Sequence, residues 1–191
     1  MAIEIKRVTK ETDIFVKLDI YGVGKYNIDT GIGFFNHMLE TFAKHAYFDL
    51  EIVCKGDLEV DFHHSVEDVG IVLGEALNRA IYPLKNKERF GDGIVVMDES
   101  AVESALDLSN RPFLIYEVDL TGKIGDFDCE LFEEFFRAFV YNAKITAHII
   151  KKRGKNRHHI AEATFKSLAI ALRRALKESK IATIPSTKGI L

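Results

Sequence analysis

The chain has 191 residues, 47% hydrophobic and 29% charged, and a formal net charge of −3. That length suits one large domain or two small ones around a shared core, and the balance is ordinary for a soluble globular protein. The near-neutral charge, with Lys and Arg spread along the chain, argues against a general nucleic-acid role, and no stretch approaches a membrane span.

The first seven residues alternate polar and apolar side chains without an apolar leader segment, so a cytoplasmic protein is expected. The first clear element is a strand over 13–21, stopped by Gly22. A helix over 33–44 follows, with aromatics at helical spacing, then a strand over 48–54 and a turn around Gly56. A long helix then opens on His63 and His64. The second half repeats this order, with a strand over 113–120, a helix over 130–142, a strand over 144–150, a turn at Gly154 and a long helix opening on His158 and His159. Neither half carries the Gly-rich loop of a nucleotide-binding fold. The pattern predicts an α+β protein of two duplicated half-domains, each a mixed sheet with helices on one face, an α/β sandwich.

The repetition is legible residue by residue. Residues 63–81 read HHSVEDVGIVLGEALNRAI and 158–176 read HHIAEATFKSLAIALRRAL, an offset of 95 (158 − 63). At that offset His63/His158, His64/His159, Glu67/Glu162, Leu73/Leu168, Ala76/Ala171, Leu77/Leu172, Arg79/Arg174 and Ala80/Ala175 are identical. Phe35 and Phe42 match Phe132 and Phe139 at an offset of 97 (132 − 35), and 17–22 resembles 117–122 at an offset of 100 (117 − 17). The halves are read as 1–90 and 91–191, with no low-complexity linker between them.

On a helix, Glu67 shares a face with both His63 and His64, while the adjacent histidines point about 100° apart. One helix can therefore offer a His–Glu pair to one ion and its other histidine to a second site. Imidazole and carboxylate together suit Mn, Fe, Zn, Ni or Co. A surface histidine pair or a helix-start cap is the bland alternative, and two copies with the same downstream Glu argue against it. If the halves are equivalent, the preceding helices supply equivalent ligands, His37 in the first and Glu134 in the second. The full set is then His37, His63, His64, Glu67, Glu134, His158, His159 and Glu162, enough for two ions of four protein ligands each, with positions left for water or substrate.

The segments 29–39 (DTGIGFFNHML), 42–45 (FAKH), 48–50 (FDL), 61–68 (DFHHSVED) and 155–166 (KNRHHIAEATFK), with Arg111-Pro112 and 185–189 (PSTKG), resemble the signatures of imidazoleglycerol-phosphate dehydratase. The resemblance spans essentially the whole chain. It implies a fold of the ribosomal protein S5 domain 2-like kind, the loss of water from imidazoleglycerol phosphate to give imidazoleacetol phosphate in histidine biosynthesis, and Mn(II), two per subunit. It also implies a homo-oligomer of 24 subunits with active sites at subunit contacts. Where the family commonly has His, this chain has Glu134.

In the implied reaction the carbon proton is not acidified by any carbonyl. A ring held by two metals as imidazolate can expel hydroxide to give a diazafulvene, and proton loss then gives an enol and the ketone. Family alignment nominates Glu11 and His45 as acid and base, without dividing the two steps between them. It places Arg89, Arg111, Lys166, Ser186 and Lys188 at the phosphate and substrate positions. Read bottom-up, Glu11 sits in a charged loop and His45 at a helix end.

The run 151–157 is read as a solvated loop or substrate-facing edge, His148 as structural, and Cys54 and Cys129 as small, half-buried residues without redox work. The Phe stripe from Phe127 to Phe139 is read as core or subunit interface. Two rivals remain: a two-metal hydrolase using the same ligands, and a metal-storage or metal-assembled structural protein. The second leaves Arg111, Lys166 and the Ser-Thr-Lys tail without a purpose.

Overall fold

A computed structural model describes residues 2–82, 84–180, 185–187 and 189. Strands β1 (Ile3–Val8), β2 (Thr12–Asp19), β3 (Tyr26–Asp29) and β4 (Asp49–Gly56) form one sheet in the order β1-β2-β4-β3, antiparallel except for the parallel β3–β4 pair. Helix α1 (Gly33–Ala46) joins β3 to β4, and α2 (His63–Ile81) follows β4. Strands β5 (Phe90–Met97), β6 (Ser100–Asp107), β7 (Phe113–Glu117) and β10 (Thr146–Arg153) repeat the arrangement as β5-β6-β10-β7, with β7–β10 the parallel pair. Helix α3 (Leu131–Ala143) precedes β10 and α4 (Arg157–Ala175) follows it. A small hairpin, β8 (Lys123–Ile124) and β9 (Phe127–Asp128), interrupts the second half between β7 and α3.

Period-2 alternation places the sheets. In β2, Thr12, Ile14, Val16 and Leu18 are buried while Lys17 is exposed, so one face is covered and the other open. The covered faces carry α1 and α2 on the first sheet and α3 and α4 on the second. The two helical layers meet, α1 on α4 and α2 on α3, so the core lies between them. It is largely aromatic, with Phe42 against Phe139 at 5.8 Å and Phe35 against Phe135 at 5.3 Å between ring centroids. Helices α2 and α3 approach closely at Gly74, where an added Cβ would lie 2.5 Å from Phe139 O and 2.9 Å from Asn142 Cβ. Buried Asp68 on α2 is held by Thr12 Oγ1 and Arg7 Nη1, each 2.5 Å from its Oδ2, which ties that helix to the β1–β2 hairpin.

This is the α+β duplicated architecture read from the sequence, with two corrections. Strands β1, β3, β5 and β6 were not anticipated. The match of 17–22 to 117–122 is also wrong in register, because it equates β2 with β7. The structural counterpart of β2 is β6, at an offset of 88 (100 − 12), and that of β3 is β7, at 87 (113 − 26). Beyond the β8–β9 hairpin the offset becomes 98 between α1 and α3 (131 − 33). The inserted hairpin accounts for the drift. No described helix is long and apolar enough to cross a membrane.

A candidate metal and active site

An Asx side chain stands at the start of each HHxxE helix, Asn156 as the N-cap of α4 and Asp61 just before Phe62, the N-cap of α2. Asn156 accepts hydrogen bonds from the His158 and His159 N–H groups, and Asp61 Oδ1 accepts from His63 N at 2.7 Å. The histidines therefore occupy the first turn, where the backbone has just left a loop and side chains can reach outward. Within each pair the rings stand nearly perpendicular, at 86° for His63 and His64 and 83° for His158 and His159. They serve different partners, as the wheel geometry predicts.

The first histidine of each pair turns to its own i+4 glutamate. His158 Nε2 lies 3.2 Å and His63 Nε2 3.6 Å from Glu162 Oε2 and Glu67 Oε2 respectively. In the second half His37 joins from α1, with Nε2 3.6 Å from the same Glu162 oxygen. The ligand atoms of His37, His158 and Glu162 all lie within 4.8 Å of one another. Two imidazoles and a carboxylate form a borderline donor set suited to a divalent first-row ion, so the residues fit such a cation. Lys166, one turn further along α4, places Nζ 2.6 Å from Glu162 Oε1. Burial pushes the Glu162 carboxyl up, but Lys166, His37 and the His158 hydrogen bond together hold it below its ordinary value. Phe34 packs edge-on against the His158 ring at 5.3 Å.

The second histidine of each pair turns away from the helix. His64 Nδ1 is 2.9 Å from Asp57 Oδ2, and its Nε2 is 3.9 Å from Glu11 Oε1. His159 Nδ1 is 2.7 Å from Glu99 Oε2, and its Nε2 is 3.7 Å from Asp98 Oδ2. The carboxylate hydrogen bond raises each of these histidines above its ordinary value. The His159 contact and the Asn156 and Lys155 N–H groups hold the Glu99 carboxyl far below the usual range. Asp57 and Glu99 were missed in the sequence. Glu99 is the structural counterpart of Glu11, at the same offset of 88 that relates β6 to β2 (99 − 11). A correct alignment of the hairpins would have paired them.

The remaining candidates fall into other neighbourhoods. His45, half-buried at the end of α1, has its pKa lowered first by burial and then by Lys166 and Arg173. Arg173 also donates to His45 O at 3.1 Å. Arg89 is engaged with Asp107, Nε to Oδ1 at 2.7 Å and Nη2 to Oδ2 at 3.0 Å, and its Nη1 donates to Pro185 O at 2.5 Å. Arg111, 68% exposed, has Nη2 3.8 Å from Asp107 Oδ2. Ser186 thus adjoins the residue that Arg89 holds, and Gly189 N donates to Ser186 O at 3.0 Å. Lys188 lies outside the described residues. Glu134 is half-buried in the first turn of α3, the helix packed on α2. Among the described residues, no hydrogen bond or ion pair joins Glu11 to His45, or the Glu162 group to the Asp107 group. A cleft of about 320 Å³ beside His158 is lined by Lys123, Ile124, Lys155, Asn156 and Arg157. A separate cavity of about 360 Å³ on the first sheet, around Lys17, Lys25 and Tyr26, is lined by none of the candidate residues.

The chain is similar to known proteins over nearly its whole length. The family model described as imidazoleglycerol-phosphate dehydratase matches residues 30–172. A protein of that name from a Nitratiruptor species is 72% identical over 189 residues, covering 99% of this chain and all of the relative. Another, from Campylobacter hominis, is 65% identical over 185 residues, 97% of each chain. Among solved structures, imidazoleglycerol-phosphate dehydratase from Staphylococcus aureus superposes with a TM-score of 0.86 at 39% identity, over 94% of this chain and all of that one. The Pyrococcus furiosus enzyme in complex with (S)-C348 gives 0.85 at 39% identity, over 98% of this chain and all of that one.

Proposed function

The chain belongs to the imidazoleglycerol-phosphate dehydratase family, the hydro-lyases of that step in histidine biosynthesis, and from that premise we propose a Mn(II)-dependent reaction at the residues assembled around α4. The observation that carries the reading is the convergence of His37, His158 and Glu162 from two helices, with Lys166 against the same carboxylate.

We assign the ligands as His37, His63, His64, Glu67, Glu134, His158, His159 and Glu162, holding two ions per subunit. When bound, Mn(II) supplies Lewis acidity that lowers the cost of negative charge on the substrate's imidazole ring. The protein's own groups have two tasks. Glu11 and His45 move the protons, one to the departing hydroxyl oxygen and one from the neighbouring carbon; the lowered pKa of His45 keeps its imidazole neutral and able to accept near pH 7. Arg89, Arg111, Lys166, Ser186 and Lys188 meet the substrate and its phosphate, and Arg89 also donates to Pro185 O.

In one chain Glu11 stands beside His64 and His45 beside Lys166, in separate neighbourhoods. A complete site then needs residues of a second copy, and we read the protein as a homo-oligomer of 24 subunits. The open face of the second sheet supports this, since Phe90, Ile94, Val96 and Phe113 are 55–73% exposed there. The equivalent face of the first sheet instead carries Glu4, Lys6, Lys17 and Glu51. The direct test is incubation of purified protein with imidazoleglycerol phosphate, followed by detection of imidazoleacetol phosphate. Formation of that ketone is the predicted result; recovery of unchanged substrate by folded, metal-loaded protein refutes the proposal.

A further inference from the structure

The second histidine of each HHxxE helix meets the same kind of group at the same ring nitrogen, although the groups come from different places. His64 Nδ1 meets Asp57 Oδ2, from the loop between β4 and α2, at 2.9 Å. His159 Nδ1 meets Glu99 Oε2, from the β5–β6 turn, at 2.7 Å. The positional counterpart of Glu99 in the first half is Glu11, which faces the opposite nitrogen of His64, Nε2, at 3.9 Å. Duplication alone would have placed the same residue on the same nitrogen twice. Two unrelated positions reach one outcome, a carboxylate on Nδ1.

An ionised carboxylate can only accept a hydrogen bond, so Nδ1 is the donor in each contact, and in the neutral ring Nε2 is then the nitrogen that bears the lone pair. Glu99 is itself held in place. Its Oε1 accepts from Lys155 N at 3.1 Å, Asn156 N at 2.8 Å and Ser100 Oγ at 3.1 Å. That network locks the turn to the start of α4, so the ring direction of His159 is set by backbone on both sides. We propose that Asp57 and Glu99 are positioning residues for the metal site: they fix the tautomer and ring direction of His64 and His159 so that each presents Nε2 to a divalent cation. The inference rests on the family reading that these histidines ligate metal.

A double-substitution cycle on the full-length protein tests it, with Mn(II) as the probe and free Mn(II) counted by its six-line paramagnetic resonance signal. Glu99→Ala is predicted to weaken Mn(II) binding about 10–100-fold, the range usual for partners of ligating histidines. His159→Ala is predicted to weaken it at least as much, and the double variant no further than His159→Ala alone. Additive losses would show that Glu99 acts other than through His159 and would overturn the proposal. Undiminished binding by His159→Ala would instead remove the ligand assignment and the positioning role with it, while leaving dehydratase turnover as a separate measurement. Asp57→Ala cycled against His64→Ala gives the same test at an independent site, should the Glu99 turn not tolerate substitution.

Discussion

His37 on α1 and Glu162 on α4 meet across the helical layer, Nε2 to Oε2, at 3.6 Å. The pair brings a candidate ligand from the first half of the chain to α4 in the second, and Glu162 is only 9% exposed. Glu162→Gln removes the negative charge shared by His37, His158 and Lys166. Equilibrium dialysis should show Mn(II) affinity falling by more than the roughly 100-fold upper range for an outer partner. Affinity within threefold of the parent protein would exclude Glu162 as a ligand.

The depressed pKa of His45 gives a pH signature. Burial, then Lys166 and Arg173, lower it from 6.5, so as pH falls the unfolded chain takes up the proton first. The stability that neutral His45 contributes is present above pH 6.5 and is lost as pH drops below that value. Thermal midpoints of the parent protein and His45→Gln, measured from pH 8 to 5, should differ by a constant amount above about pH 6.5 and converge below it. A difference independent of pH would contradict the assignment.

Asp107 holds Arg89 by two hydrogen bonds, and both side chains are largely buried. Asp107→Ala leaves that guanidinium without its counter-charge, at a cost of about 3 kcal/mol. Urea unfolding should register the loss, and the segment around Pro185 should become more susceptible to carboxypeptidase, because Arg89 also binds its carbonyl. Unchanged stability with an unchanged digestion rate would refute this coupling.

At Gly74, α2 runs close against the backbone of α3. In an exposed helix, Gly→Ala gains about 1 kcal/mol, but here the new methyl would meet Phe139 O and Ala143 N. Backbone cannot yield as a side-chain tip does, so overpacking of about 1–3 kcal/mol should win. A lowered urea midpoint is predicted; a raised one would mean that the helices separate freely.

The helices were legible in the sequence because their signals are local. The first turns of α2 and α4 are set by Asp61 and Asn156, and the apolar periodicity that follows repeats at one offset. Strand β5 gives a weak strand signal because it carries Gly91 and Gly93. They are glycine because α4 lies against them, and an added Cβ on Gly93 would stand 2.7 Å from Ser167 O. Strand β6, SAVESALD, has few β-branched residues and gains its place by pairing with β5 and β10. For the site, HHxxE drew attention to His158 and Glu162, which the fold brings together with His37, while Asp57 and Glu99 did not show, since single carboxylates in turns look like solvated loops. Arg89 was placed among the phosphate and substrate positions by resemblance; its contact with Asp107 is a tertiary one that no spacing rule could reveal.

The central claim is that the dehydration depends on a divalent metal that His37, His158 and Glu162 would hold at the α1–α4 seam. Turnover of imidazoleglycerol phosphate should be measured on chelated protein and again after Mn(II) is restored, for the parent chain and for Glu162→Gln side by side. Activity that disappears on chelation, returns with Mn(II) in the parent and fails to return at the same Mn(II) concentration in Glu162→Gln is the predicted result. Full turnover by the metal-free parent protein would contradict the account.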